Sequence, residues 1–169
     1  MPGSSLTSVP KEFSRKAEAG KRRILLLDDD AELVNSLKQL LESHSFLVTA
    51  ESSSALSAAG FPLKTSQNLE VTTVSSGVEG LNEIMKCDFD VIICDMMMPR
   101  MAGDMFYLAV TKMKPLLCSR FLFITGYSAE PKINAFLKKT GRQVLIKPVL
   151  IEKLITAISF MLKQKSASA

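Results

Sequence analysis

What the chain is short of narrows its chemistry first. Among 169 residues there is one histidine, His44, and a lone histidine at the end of a helical stretch is ordinarily a surface residue, not a metal ligand or phosphocarrier. The three cysteines, Cys87, Cys94 and Cys118, are odd in number and lack metal-ligand spacing. That argues against a zinc site or a disulfide framework and for a reducing, cytoplasmic setting. No apolar run approaches the ~18 residues of a membrane span, and the N-terminus lacks the apolar stretch of a signal peptide. Positive charge is in excess, with a net of +4, but it is confined. Lys11, Arg15, Lys16, Lys21, Arg22 and Arg23, set against Glu12 and Glu18, account for all of it. The body is neutral and carries no basic helical stripe, so no nucleic-acid partner is expected.

What is present is an apolar fraction of 47%, enough for the core of one ordinary domain with some excess chain. Residues 1–22 mix Pro, Gly, Ser and charge without apolar periodicity and read as a disordered basic leader or linker. The domain is expected over 23–164, with a disordered tail at 165–169. Its first strand is Ile24 to Leu27, followed by a helix over Ala31 to Glu42 with Leu33, Val34, Leu37, Leu40 and Leu41 at helical spacing.

Two segments compete for the second strand, Phe46 to Thr49 and Leu69 to Val74. The second runs through a helix at Val78 to Lys86 into the next strand with ordinary loop lengths and is preferred. Residues 44–68 then become an insertion between helix one and strand two, a surface excursion with no part in the site chemistry. Val91 to Cys94 is an unbroken apolar run, the pattern of a strand buried on both faces. Asp104 to Lys114, ended by Pro115, is the third helix, and Phe121 to Ile124 the fourth strand. Pro131 opens a helix over Lys132 to Lys139 that Gly141 ends. Val144 to Ile146 is the fifth strand, and Ile151 to Lys163 a closing amphipathic helix. Five βα units make an α/β fold, a doubly wound five-stranded parallel sheet with right-handed crossovers.

In such a fold the carboxyl ends of all strands share one edge, where open α/β sheets bind ligands. Strand one runs into Asp28-Asp29-Asp30, strand three into Asp95, strand four into Thr125 and strand five into Lys147. Asp30 suits a helix N-cap. The remaining carboxylates repel one another, and a bound divalent cation, most plausibly Mg2+, is the simplest reason for them. A carboxylate nucleophile, a metal, a lysine for phosphate oxygens and a nearby hydroxyl suit phosphoryl transfer.

The ordered set, Asp28-Asp29 after ILLL, Asp95 in DMMMP, Thr125 in FITG and Lys147 in IKPV, resembles the receiver domain of two-component response regulators. The FITGYS and VLIKPV stretches further resemble receivers of hybrid sensor histidine kinases. The resemblance implies a flavodoxin-like receiver fold and an aspartyl-phosphate phosphoprotein in phosphorelay signal transduction. Asp95 would be the phosphoacceptor, and Asp28, Asp29, Asp95 and the Met97 backbone carbonyl would hold Mg2+. Lys147 would pair with Asp95 and the phosphoryl group, and Thr125 would move to bond a phosphoryl oxygen. Met97, Gly126, Tyr127 and Pro148 would flank the pocket, with a cis bond between Lys147 and Pro148. A histidine kinase or histidine phosphotransfer protein would be the donor. The protein would be no enzyme beyond its own phosphorylation and dephosphorylation.

The sequence departs from the pattern at Ala102, where the family often has Asp, and at Val144, where many members keep a switching aromatic. Only Gln164 to Ala169 follow the last helix, so output is expected from a partner, a homodimer or a domain fused upstream. Two other readings are a haloacid-dehalogenase-like phosphatase, suggested by Asp28-Asp29-Asp30, and a degenerate receiver acting only as an interaction module. The phosphatase reading lacks the usual Thr or Val after its second Asp and leaves DMMMP and IKP unexplained.

Overall fold

The computed structural model describes residues 21–43, 68–126 and 130–166. Within them, β1 (Lys21–Leu27), β2 (Asn68–Val74), β3 (Val91–Asp95), β4 (Phe121–Thr125) and β5 (Gln143–Ile146) form one parallel sheet in the order β2-β1-β3-β4-β5. The connecting helices are α1 (Ala31–Glu42), α2 (Gly77–Lys86), α3 (Gly103–Met113), α4 (Pro131–Thr140) and α5 (Ile151–Ser166), with a 3-10 turn at Pro115–Arg120 before β4.

Because strand side chains alternate between faces, the apolar runs serve two cores at once. Ile24, Leu26, Ile93, Leu122 and Ile124 pack against Val34, Leu37 and Leu41 of α1 and Leu154 and Ile158 of α5. Leu25, Leu27, Ile92, Cys94, Phe121 and Phe123 pack against Ile84 of α2, Phe106 and Val110 of α3 and Ile133 of α4. This is why these strands show no hydrophobic alternation: both faces are covered. The second core is aromatic. Tyr107 meets Phe121, Phe123 and Phe136 edge-on, with ring centroids 4.9 to 5.6 Å apart.

The second-strand choice resolves in favour of the later segment. Ile24 pairs with Val71 and Leu27 with Val74. Residues 44–67, which include FLVT and His44, lie outside the described residues, as do 1–20, 127–129 and 167–169. Some boundaries move by one to three residues, and α5 runs to Ser166, so Lys165 and Ser166, expected in the tail, belong to the helix. Asn68, taken as the last residue of the insertion, is the first of β2. Lys21 and Arg22, taken as leader, open β1. The basic cluster is drawn into the strand by acids at the amino edge. Arg23 Nε lies 3.3 Å from Glu70, and Asp90 accepts the Arg23 amide at 2.9 Å while donating its own to Arg23 O at 2.8 Å.

The fold places the site through its handedness. α1 leaves β1 toward one face and α3 leaves β3 toward the other, so the sheet opens between the carboxyl ends of these adjacent strands. Asp28 and Asp95 stand there.

Candidate functional site

The three consecutive acids after β1 do three different things. Asp30 is the N-cap of α1, its Oδ1 accepting the amides of Glu32 and Leu33 at 3.1 Å each. Asp28 is buried and turns inward, Oδ1 accepting the Asp30 amide at 3.0 Å. Asp29 is exposed. Asp30→Ala should therefore lower stability by about 1 kcal/mol, the usual cost of an uncapped helix start, measured by urea unfolding. An unchanged unfolding midpoint would show that the cap contributes nothing.

Asp95 ends β3 with only 4% of its surface exposed. Lys147, reaching in from the end of β5, supplies the positive charge: its Nζ lies 2.8 Å from Asp28 Oδ2 and 3.1 Å from Asp95 Oδ2. One ammonium thus serves two buried carboxylates. Burial raises the Asp95 carboxyl above its ordinary value despite hydrogen bonds from Lys147 and the Met97 amide, with Asp28 adding repulsion. The same two acids raise Lys147 although burial acts against its charge. The lysine's charge is favoured, whereas Asp95 is under-compensated and Asp29 brings a further negative charge.

Carboxylate oxygens of Asp28, Asp29 and Asp95 lie within 4.8 Å of one another. Two strand ends and an exposed acid at this spacing fit a hard divalent cation bound by oxygen, with room on the solvent side for retained water. The under-compensated charge points the same way.

Thr125, wholly buried, ends β4 one residue past Ile124, the partner of Asp95. Its carbonyl accepts the Lys147 amide at 2.9 Å, tying β4 to the lysine. The Lys147–Pro148 bond is cis. Met97, Gly126 and Pro148 are exposed. Tyr127 lies outside the described residues. Val144, which stands in place of an aromatic, is half-buried against the aromatic core.

Two features escaped the sequence reading. Ser76 caps α2, accepting the Glu79 amide at 3.4 Å, while Glu79 reaches back to the Ser75 amide at 3.0 Å. The S-x-x-E spacing signals this box. The other is Cys94, which the sequence shows only as the last residue of an apolar strand. Its Sγ–H donates to the Asp95 carbonyl at 3.2 Å. Burial, and then Asp95, push it well above the usual thiol value, so it stays protonated.

The family model of the response regulator receiver domain matches residues 57–159, well over half of the chain. The chain belongs to the response regulator receiver domain family. The matched stretch contains Asp95, Thr125 and Lys147; Asp28 and Asp29 precede it and are brought to it by β1. No curated protein matches the chain. Among solved structures, it is similar to chemotaxis protein CheY4 of Vibrio cholerae, at 26% identity and a TM-score of 0.60 over 84% of this chain and 99% of that one. It is also similar to a CheY-like receiver domain protein of Methanospirillum hungatei, at 24% and 0.64 over 88% and 98%. A third is the receiver domain of a signal transduction histidine kinase from Syntrophus aciditrophicus, at 18% and 0.62 over 85% and 91%. The last two likenesses concern the fold alone. Receiver domains are signalling domains that accept phosphoryl groups in two-component systems, generally bind Mg2+ in an acidic pocket, and interact with histidine kinases or phosphotransfer proteins. Among the described residues of this receiver domain no helix is long and apolar enough to cross a membrane.

Proposed function

We propose that this protein is a phosphorelay receiver in which Asp95 takes a phosphoryl group from a phosphohistidine donor in a Mg2+-dependent reaction, switching its partner interactions. The observation that carries the reading is Lys147 held between the buried Asp95 and Asp28 at one sheet edge, with Asp29 close by. An oxygen of Asp95 attacks phosphorus, the P–N bond to the donor histidine breaks, and its electron pair stays on the imidazole. Lys147, 3.1 Å from the Asp95 carboxylate, would pair with the nucleophile and then with a transferred phosphoryl oxygen. The Met97 amide favours the charged form of the Asp95 carboxylate. Thr125 would give its hydroxyl to a phosphoryl oxygen after transfer. Asp28, Asp29, Asp95 and the Met97 carbonyl would hold Mg2+, which offsets charge on the acids and on the phosphoryl oxygens when bound. Met97, Gly126, Tyr127 and Pro148 would set water access to the acyl phosphate.

The test is incubation with acetyl phosphate and Mg2+, followed by intact mass and mapping of the modified residue. One phosphoryl group on Asp95 is expected. Mg2+ alone should raise the melting temperature, and Asp29→Ala should remove most of that rise; an unchanged response would place the cation elsewhere. Failure to label in the presence of Mg2+ would favour a pure interaction module. Turnover of a small phosphate ester, lost on changing Asp28 but not Asp95, would favour a phosphatase.

A further inference from the structure

The chemistry above uses the Asp95 side chain, but the Asp95 main chain is held by contacts of its own. The Asp95 carbonyl accepts the Cys94 thiol at 3.2 Å. The next residue is fixed on both sides: the Met96 amide donates to Ile124 O at 2.9 Å, and its carbonyl accepts the Gly103 amide at 3.1 Å. Gly103, the first residue of α3, closes the arrangement from above. A Cβ on it would lie 2.4 Å from the Asp95 carbonyl oxygen, 3.0 Å from Met96 Cα and 3.1 Å from Cys94 Sγ.

Positive φ does not explain this glycine, since Gly141 is the glycine with that geometry among the described residues. What Gly103 requires is room. Two of the three atoms it would strike are backbone and cannot rotate away, so a methyl group must either lift α3 off β3 or tilt the Asp95–Met96 peptide.

We propose that Gly103 and Cys94 are positioning residues for phosphorylation, clamping between them the peptide that carries Asp95. The clamp sets where the carboxylate stands relative to Lys147 and to the loop that begins at Met96. The inference rests on Asp95 as the phosphoacceptor. Gly80 supplies a matched control. A Cβ there would lie 2.5 Å from Leu27 Cδ2 and 2.9 Å from Phe106 Cε2, a comparable overlap against core side chains and not against the Asp95 backbone.

The experiment compares initial rates of acetyl phosphate labelling, with Mg2+, at a temperature where circular dichroism finds each full-length variant folded. Gly103→Ala and Gly80→Ala should both melt earlier than the wild type. Only Gly103→Ala should label slowly, by about a hundredfold if the carboxylate moves by roughly 1 Å. Cys94→Ala, which adds no atoms, should slow labelling roughly threefold through loss of a weak S–H donor, and Cys94→Ser should restore it. Wild-type labelling in Gly103→Ala, or an equal loss in Gly80→Ala, overturns the proposal. If Gly103→Ala does not fold, equal rates in Cys94→Ala, Cys94→Ser and wild type overturn it. Wild-type protein labelled at another residue would remove the assignment of Asp95 and this inference with it, whereas wild-type labelling on Asp95 leaves the variants to decide the clamp alone.

Discussion

Asp95→Asn should take up no phosphoryl group and should melt at a higher temperature than the wild type near neutral pH. The first effect follows from the nucleophile, because an amide oxygen does not form the acyl phosphate. The second follows from burial, which raises the Asp95 carboxyl despite Lys147. Between the ordinary carboxylate value and this raised one, the folded protein binds more protons than the unfolded chain. Stability from this group therefore falls as pH rises through that window and stays reduced above it. Asparagine has nothing to ionise, so its advantage should be full at neutral pH and disappear on acidification below the ordinary carboxylate range. Thermal melts of both proteins across pH 4 to 8 test this. A variant labelled at the wild-type rate would reject Asp95 as acceptor, and one less stable than wild type at neutral pH would reject the charge argument.

Lys147→Met should have the opposite effect on stability. It leaves Asp28 and Asp95 buried beside each other without the ammonium that now lies 2.8 and 3.1 Å from them. Removing one partner from a buried ionic cluster costs about 3 kcal/mol or more, because the remaining charge is left uncompensated. The deficit should shrink on acidification, as protonation of Asp95 relieves the repulsion. In the wild type the lysine's contribution has its own window. Its raised value means the stabilisation is fully present below the ordinary lysine range and is lost as pH rises through the raised value. Urea unfolding of variant and wild type at pH 7.5 and pH 5 measures both effects. Equal midpoints at pH 7.5 would show that solvent already compensates the acids, and a deficit that grows on acidification would reject the repulsion argument.

These expectations draw on features that were unequally visible in the sequence. The strands announced themselves because both their faces are buried: ILLL, VIIC and FLFI are unbroken apolar runs, and each is the core of a strand. Once the βα units are known to form a parallel sheet, the common strand direction alone carries Asp28, Asp95, Thr125 and Lys147 to one edge. What stayed hidden depends on contacts across the sheet. Lys21 and Arg22 look like solvated leader until Glu70 and Asp90 are found opposite them. Pro115 marks the end of α3, yet the 3-10 turn after it has no periodicity to betray it. Asp28, Asp29 and Asp30 are chemically identical neighbours, and only the direction of the backbone separates inward acid, surface acid and cap. Gly103 likewise resembles any helix-opening glycine until the Asp95 carbonyl is placed against it.

The central position of β1 has a consequence for how the chain is made. β1 is synthesised before every other strand, yet both its neighbours, β2 and β3, come much later: Ile24 pairs with Val71 and Val91. Among the described residues β2 bonds within the sheet only to β1, while Glu42 at the end of α1 accepts its Val71 amide at 2.9 Å, so β2 docks on the β1–α1 unit. During translation the fully apolar Ile24–Leu27 segment must therefore wait without a strand partner until β2 is made, and its other edge until β3 is made. Non-local parallel pairing of this kind is slow and leaves strand edges open to intermolecular pairing. The strand that delivers Asp28 and Asp29 to the pocket is thus also an apolar edge that the newborn chain carries open until its partners are made.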